Sequence, residues 1–354
     1  MKIKEQLLYG IADTRGDGLV CILSVRLKDI QATHVFLVRG KQSYEQCRAA
    51  AKMAEVQQKT SVRITEFSDF SANPKDEEAL KGKQLLLEKK PDVIIAIGGG
   101  SVMDMAKLIR HYAAEQGYYV PLWAIPTTAG TGAEATHFAV VYKEGVKHSV
   151  EAEDILPDAA ILYPPFTYHN GAYLTACTGF DALAQAIEAY WNPKATEESR
   201  QYSIRAINLI YRQLPQCIAH PAETTLRDEL AQGAYWAGRA INITKTTAPH
   251  AFSYVFTSKY GYPHGHAVAL TFPFFMRLNG TAELQELLGF TAENAVQQME
   301  TYLLSIGLSV KLPGTVDVRG ALQAVNLQRL ANNPVPVTEE IKSDLAIYLE
   351  NHKQ

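Results

Sequence analysis

The sequence predicts an α/β domain built on a parallel sheet over residues 1–163 and an all-helical domain over residues 164–354. Two observations support this division. In the first half, short apolar runs alternate with amphipathic helical runs, a pattern typical of parallel strands covered by helices on both faces. From about Pro164, long helical patterns follow one another with hardly any strand signal, and the two prolines of "LYPPF" mark the boundary.

The individual elements can be predicted in order. In the first domain we expect strands at "THVFLVRG", "SVRITEFS", "DVIIAIGG" and "YVPLWAIPTT". They are separated by the helices "SYEQCRAAAKMAEVQ", "KDEEALKGKQLLLEKK" and "VMDMAKLIRHYAAE". In the second domain we expect helices at "FTYHNGAYLTACTGFDALAQAIEAYW", "EESRQYSIRAINLIYRQLPQCI" and "TLRDELAQGAYWAGRAIN".

Composition and charge narrow the class of protein. The 354 residues suffice for two hydrophobic cores, and 47% hydrophobic with 20% charged residues is an ordinary globular balance. A net charge of −3 provides no basic surface for nucleic acid or anionic membranes. The four cysteines are scattered, the amino terminus lacks a signal-peptide pattern, and no run reaches the roughly 18 apolar residues of a membrane helix. We therefore expect a soluble, cytoplasmic protein without a nucleic-acid or membrane partner.

A glycine-rich turn follows the most apolar predicted strand. Gly98, Gly99, Gly100 and Ser101 come directly after "DVIIAI" and open the next helix. Glycines allow a phosphate to approach the backbone closely, and a helix amino terminus offers free N–H groups, so a dinucleotide pyrophosphate is the expected ligand. The motif differs from G-x-G-x-x-G, and a tight strand-to-helix turn without a ligand is the alternative.

A second polar loop, "PTTAGTGAE", follows the next strand. It carries the hydroxyl groups of Thr127, Thr128 and Thr131. Ligands of open α/β sheets bind at the carboxyl ends of strands, where both loops are expected to lie. The two loops together favour a nucleotide site.

Residues suited to a metal site occur in the helical half. Asp181 and Gln185 lie four residues apart in "GFDALAQAIEAYW" and face the same way on a helix, while His250 and His264 follow later. One carboxylate and two imidazoles are ligands that Zn²⁺ or Fe²⁺ accepts. The alternatives are structural histidines and a solvated amide at Gln185.

Four motifs in order resemble the iron-containing (group III) alcohol dehydrogenase family: "GGGSVMDMAK", "PTTAGTGAE", "GFDALAQAIEAYW" and "HAFSYVFTSKYGYPHG". With "SANPKDEE" and "ANNPVPVT", the similarity covers nearly the whole chain. The resemblance implies the dehydroquinate synthase-like fold, with an amino-terminal Rossmann-like domain, a carboxyl-terminal helical domain, and metal and nicotinamide in the cleft between. It also implies hydride transfer with NAD or NADP and assembly into a homodimer or larger homo-oligomer.

The resemblance also assigns roles to individual residues. It places residues 98–101 and Asp104 around the pyrophosphate, with the threonine loop and Asn73 on the nucleotide. Asp181, His250 and His264 match three metal ligands, and Gln185 replaces the fourth, a histidine. Tyr254 stands where the family has a further histidine; it is either a proton relay or a packed aromatic side chain.

Two departures bear on nucleotide and substrate. Many family members carry an acidic residue at the end of the strand "THVFLVRG", whereas this chain has Gly40 there, between Arg39 and Lys41. The loss of the acid and the added cations favour NADP(H) over NAD(H). The alternative is that Arg39 and Lys41 are only solvated loop charges. Arg239 and Lys245 stand where relatives are mostly small or apolar, and cations there suggest an anionic substrate. The pattern is most similar to the phosphonoacetaldehyde reductase branch, which forms 2-hydroxyethylphosphonate. An acidic-sugar (octulosonate-type) dehydrogenase, a polyol dehydrogenase and a catalytically silent nucleotide-binding relative are the alternatives.

Overall fold

The computed structural model describes residues 9–11, 18–144, 146–325 and 330–354. The chain divides into two compact units, Met1–His169 and Asn170–Gln354. The sequence predicts no signal peptide, but most of the amino-terminal stretch on which that prediction depends lies outside the described residues. Among the helices that are described, none combines the length and the apolar character that crossing a membrane requires.

The first unit contains a parallel sheet of six strands. Their order across the sheet is β1-β8-β5-β4-β2-β3, and a separate antiparallel hairpin pairs β6 with β7. The strands are β1 (Tyr9–Ile11), β2 (His34–Arg39), β3 (Arg63–Phe67), β4 (Val93–Gly98), β5 (Leu122–Pro126), β6 (Phe138–Lys143), β7 (Val146–Glu151) and β8 (Ala159–Leu162).

Five α-helices accompany these strands in the described part of the first unit. They are α1 (Gly18–Asp29), α2 (Gln42–Gln46), α3 (Ala49–Thr60), α4 (Asp76–Lys89) and α5 (Gly100–Ala114). The helix expected at "SYEQCRAAAKMAEVQ" is two helices, because Arg48 adopts a left-handed conformation with φ 61° and ends α2 before α3 begins. The hairpin, β1, β8 and α1 were not predicted.

Alternating side chains of the central strand build two cores. Val93, Ile95 and Ile97 belong to one cluster, which also contains residues of α1 and α3. Ile94 and Ala96 belong to a second cluster with residues of α4 and α5. Since side chains of a strand point alternately to opposite faces, the sheet is covered on both faces, which explains its continuously apolar strands.

The second unit is helical in its described residues. Its helices are α6 (Ala172–Trp191), α7 (Glu197–Ile210), α8 (Gln213–Ala219), α9 (Thr224–Thr244), α10 (Ala248–Tyr260), α11 (His264–Asn279), α12 (Ala282–Leu288), α13 (Ala295–Ser305), α14 (Val318–Gln323) and α15 (Glu339–Glu350). The prediction of a parallel α/β domain followed by an all-helical domain is confirmed.

Candidate active site

A polar stripe runs along one face of α6, a helix that is mostly apolar and is buried along most of its length after the exposed first turn. Asp181, Gln185 and Glu188 follow one another at intervals of four and three residues, so their side chains share a face, and Asn192 continues the series directly after the helix ends. Each is at most 4% exposed. Buried polar groups are costly unless they are paired, so the stripe must have partners.

The structure brings His250 and His264 to Asp181. His250 lies in the first turn of α10, and His264 is the first residue of α11. Oδ1 of Asp181 is 3.1 Å from Nε2 of His250 and 3.7 Å from Nε2 of His264. One ligand atom from each residue can be chosen so that all three lie within 4.8 Å of one another. His264 is partly exposed while the other two are buried, an arrangement that suits a catalytic site with an open position.

The electrostatics of this cluster fit a metal ion. Burial disfavours the charged form of His250, but the carboxylates of Glu188 and Asp181 outweigh it and raise the pKa of His250 to about 10. The two buried carboxylates therefore draw a positive charge into the same small space. A divalent cation meets this demand, and the Asp/His/His donor set is one that Zn²⁺ or Fe²⁺ accepts.

Glu188 was missed at the sequence level. Its Oε1 accepts a hydrogen bond from Nδ1 of His250, and its Oε2 accepts from the backbone N–H and from the hydroxyl of Thr247, the latter at 2.7 Å. The signal that could have found it is the spacing: Glu188 stands seven residues after Asp181, two turns along the same helix face.

Gln185 contacts the cluster through Asp181. Its amide nitrogen donates to Oδ2 of Asp181 at 3.2 Å, and the other carboxylate oxygen, Oδ1, faces both histidines. The solvated amide considered from the sequence is excluded, because Gln185 is 4% exposed.

Gly265 allows α11 to approach α6 closely. A Cβ atom at this position would lie 1.8 Å from the carbonyl oxygen of Cys177, a contact that only a backbone shift could relieve. Because His264 directly precedes Gly265, the glycine sets how closely this histidine approaches Asp181.

The remaining predicted residues of the helical unit have different surroundings. The ring of Tyr254 stacks on the ring of His264, with centroids 6.0 Å apart. Arg239 lies on a different helix, α9. Its guanidinium donates hydrogen bonds to the hydroxyls of Tyr235 at 3.2 Å and Tyr202 at 3.1 Å. Tyr254 therefore lies beside a candidate ligand, whereas Arg239 is held in a tyrosine cluster.

Lys245 occupies a strained turn between α9 and α10. Its backbone has φ 65° and ψ 179°, a region that residues other than glycine rarely adopt. The amide of Asn192, the last residue of the α6 stripe, donates to the carbonyls of Thr244 at 3.1 Å and of Lys245 at 3.4 Å. Strain of this kind persists only where the surroundings hold it, and here α6 does so.

In the first unit, the two candidate nucleotide loops lie side by side. The backbone N–H of Thr127 donates to the carbonyl of Gly98 at 2.9 Å. A Cβ at Gly100 would come within 2.9 Å of Thr131, and one at Gly99 would contact Thr128 at 3.5 Å. The structure thus brings the glycine turn and the threonine loop together at the carboxyl ends of β4 and β5.

Three further predicted nucleotide residues can be placed. The hydroxyl of Ser101 donates to the carbonyl of Ala72, which brings the loop of Asn73 next to the glycine turn. Asp104 has a structural partner, since its Oδ2 accepts from the backbone N–H of Val140 in β6 at 3.1 Å.

The cations around Gly40 are paired with acids. Nε of Arg39 lies 2.7 Å from Oε2 of Glu66 on β3, and its guanidinium stacks over the ring of Tyr44 at 4.7 Å. The pair of Lys41 and Asp69, 3.3 Å apart, is more exposed. The positive charge predicted at this strand end is therefore partly neutralised.

The chain matches two profiles of one family. Iron-containing alcohol dehydrogenase matches residues 15–164, and the carboxyl-terminal region of the Fe-containing alcohol dehydrogenase family matches residues 175–331. The chain is 32% identical to phosphonoacetaldehyde reductase of Streptomyces viridochromogenes, over 69% of this chain and 73% of that protein. It is 30% identical to the NAD-dependent methanol dehydrogenase of Bacillus methanolicus, over 84% of this chain and 86% of the relative.

A solved structure extends this similarity to nearly the full length. Sulfoacetaldehyde reductase from Bifidobacterium kashiwanohense in complex with NAD⁺ superposes with a TM-score of 0.86 at 26% identity, covering 97% of this chain and 99% of that one. The profiles, the relatives and the fold agree, and they confirm the resemblance seen in the ordered motifs. The chain belongs to the iron-containing alcohol dehydrogenase family.

Proposed function

We propose that this enzyme is a metal-dependent aldehyde reductase and alcohol dehydrogenase that transfers hydride between NAD(P)H and a small anionic aldehyde. The observation that supports it most strongly is the cluster of buried Asp181, buried His250 and partly exposed His264 within the matched family region. The first unit would bind the nucleotide, and the helical unit would hold the metal and the substrate. Scattered free thiols favour a cytoplasmic location, and assembly into a homo-oligomer stays a prediction.

In this mechanism each residue has a distinct task. A divalent ion held by Asp181, His250 and His264 would supply Lewis-acid polarisation of the substrate carbonyl. Gln185 holds Oδ2 of Asp181 and so keeps Oδ1 directed to the histidines. The hydroxyl of Tyr254, whose ring stacks on His264, would donate the proton that the reduced oxygen needs.

We assign the nucleotide to the adjoining loops of the first unit. The amino terminus of α5, with residues 98–101, would bind the pyrophosphate through its free N–H groups and positive dipole end. The threonine loop, Asn73 and Asp104 would complete the site, with Asp104 also fastening β6.

An anionic substrate is supported by Lys245 and by two relatives. The names of both reductases, for phosphonoacetaldehyde and for sulfoacetaldehyde, specify a short aldehyde with an acidic head group. Lys245 is the better candidate for binding this group, because Arg239 is held by tyrosines. Phosphonoacetaldehyde is our first choice. A neutral diol is the second, since 1,3-propanediol dehydrogenase of Citrobacter freundii is 30% identical over 73% of this chain.

The reaction can be tested by a substrate screen. Metal-loaded protein should oxidise NADH or NADPH faster with phosphonate, sulfonate or carboxylate aldehydes than with neutral aldehydes of equal length. A clear preference for neutral aldehydes or diols would contradict the anionic substrate, and bound nucleotide without turnover of any aldehyde would favour a catalytically silent protein.

Lys245→Ala should raise KM for the anionic aldehyde by about 10- to 150-fold, the loss of one charge-assisted hydrogen bond. Alanine retains a Cβ, so the backbone strain at this position is unchanged. KM for a neutral aldehyde should change little. The control is Lys259→Ala, at an exposed position of α10, which should leave KM for the anionic and for the neutral aldehyde unchanged. Equal effects on both substrates would show that Lys245 does not recognise the anion.

Glu66→Gln should shift the nucleotide preference toward NADP(H). The sequence favours NADP(H), but Glu66 neutralises Arg39. Releasing this guanidinium for a 2′-phosphate should raise the NADPH-to-NADH ratio of kcat/KM by about 10-fold, equivalent to ~1.4 kcal/mol. Asp69→Asn, at the more exposed pair with Lys41, is the matched control with a small expected effect. An unchanged ratio would exclude Arg39 from nucleotide discrimination.

Gln185→His should slow metal loss. Imidazole binds these metals better than an amide, and the substituted residue would restore the ligand that the family carries at this position. We expect the dissociation rate into excess chelator to fall by about 10-fold or more. A rate equal to that of the native protein would mean that this position does not reach the metal.

A further inference from the structure

Glu188 stands out because its side chain is fully buried and both of its carboxylate oxygens contact the start of α10. It lies on the same face of α6 as Asp181, beyond Gln185. Nothing in the mechanism above uses it. A buried carboxylate that was only structural would be costly to retain, since apolar packing could fill the same space.

The first oxygen acts on the side chain of His250. Nδ1 of His250 donates to Oε1 of Glu188, while Nε2 faces Asp181. An imidazole binds a metal through a nitrogen that carries no proton, and the partner of the other nitrogen decides which one that is. The Glu188 contact therefore presents Nε2 as the metal-binding atom and fixes the rotation of the ring.

The second oxygen acts on the backbone that carries His250. It accepts from the N–H and the hydroxyl of Thr247, the residue preceding α10. The hydroxyl of Thr247 also accepts from Nε1 of Trp191 at 3.1 Å, so the contact is itself held in place. The carboxylate thus caps the positive end of α10 and sets the position of its first turn.

We propose that Glu188 is the positioning residue of the metal centre. One of its carboxylate oxygens orients the imidazole ring of His250, and the other holds the start of α10, the helix that carries His250. This inference rests on the proposed function only in requiring that the cluster binds a metal. It assigns to Glu188 no contact with metal, substrate or nucleotide. The side chain acts through His250, so its removal should change metal affinity and coordination rather than nucleotide binding.

Glu188→Gln tests the proposal, because an amide is nearly isosteric with the carboxylate but lacks its charge. Zn²⁺ affinity measured against a competing chelator should fall on the order of 10- to 100-fold. The visible spectrum of the Co²⁺-substituted protein should change, and nucleotide binding should not. The matched control is Glu300→Gln, since Glu300 pairs with Tyr348 at 2.7 Å and His352 at 3.2 Å in the same unit without touching a candidate ligand.

Should Glu188→Gln fail to fold, Thr247→Val removes one hydrogen bond to the carboxylate and should weaken Zn²⁺ binding by about 3- to 10-fold. Native Zn²⁺ affinity and Co²⁺ spectrum in the folded variants would overturn the proposal and leave the proposed function intact. A native protein that binds neither ion would contradict the metal-dependent function and, with it, this role of Glu188.

Discussion

Asp181→Asn is expected to lower kcat/KM for aldehyde reduction by about 10³-fold, which corresponds to ~4 kcal/mol of transition-state stabilisation. Asn has nearly the shape of Asp but no charge, and Oδ1 of Asp181 is the atom that faces both histidines. Without its charge, the cluster retains two imidazoles and a neutral amide, a much weaker site for Zn²⁺ or Fe²⁺. Metal content should fall together with activity.

Steady-state kinetics and metal analysis of the same preparation check this expectation. Nucleotide binding, followed by NAD(P)H fluorescence, should be unchanged, because we assign the nucleotide to loops of the first unit. Glu197→Gln, an exposed acid in the first turn of α7, is the control for a neutralised carboxylate in the helical unit. An Asp181→Asn protein with native turnover would show that Asp181 is not needed for the chemistry.

Gly265→Ala should disrupt the candidate metal site through packing alone. The added Cβ would meet the carbonyl oxygen of Cys177 at 1.8 Å, so α11 must move away from α6 and carry His264 with it. Overpacking of this kind costs ~3 kcal/mol or more when a backbone atom is in the way. We expect a clearly lower melting temperature and Zn²⁺ affinity reduced at least about 10-fold, since the candidate ligand His264 would be displaced.

The control for Gly265→Ala is Gly171→Ala, just before α6, where an added Cβ meets nothing within 4 Å. Thermal unfolding followed by circular dichroism and chelator competition measure the two effects separately. Native stability and native metal affinity in Gly265→Ala would mean that the close approach of α6 and α11 does not position His264.

Many strands and helices of the first unit could be predicted because the burial of an element leaves a clear pattern of apolar residues in the sequence. Val93–Gly98 is buried throughout, and strands covered on both faces must be continuously apolar. The β6–β7 hairpin escaped prediction; β6 differs from the central strands in that only alternate residues of it are buried. That omission explains why Asp104 was expected only at the nucleotide, whereas its carboxylate also holds Val140 of the hairpin.

The three residues of the candidate cluster could be chosen by residue type and motif order, but the distances between their side chains could not be predicted. His250 lies 69 residues after Asp181. Contact between residues so far apart in the sequence cannot be predicted from the spacing of residues within one helix. Glu188 was recoverable in principle, because it continues the spacing of Asp181 and Gln185 on a buried helix face. The pairing of Arg39 with Glu66 depends on the parallel register that sets Leu37 opposite Glu66, and register is fixed by tertiary packing.

The most direct test of a metal-dependent dehydrogenase is turnover by one protein sample before and after removal of its metal. Protein stripped by a chelator should keep its nucleotide binding, lose NAD(P)H-dependent aldehyde reduction, and regain activity when Fe²⁺ or Zn²⁺ is added. The Asp181→Asn protein treated identically should gain nothing from added metal. Full turnover by metal-free protein in excess chelator would contradict a catalytic role for an ion held by Asp181, His250 and His264.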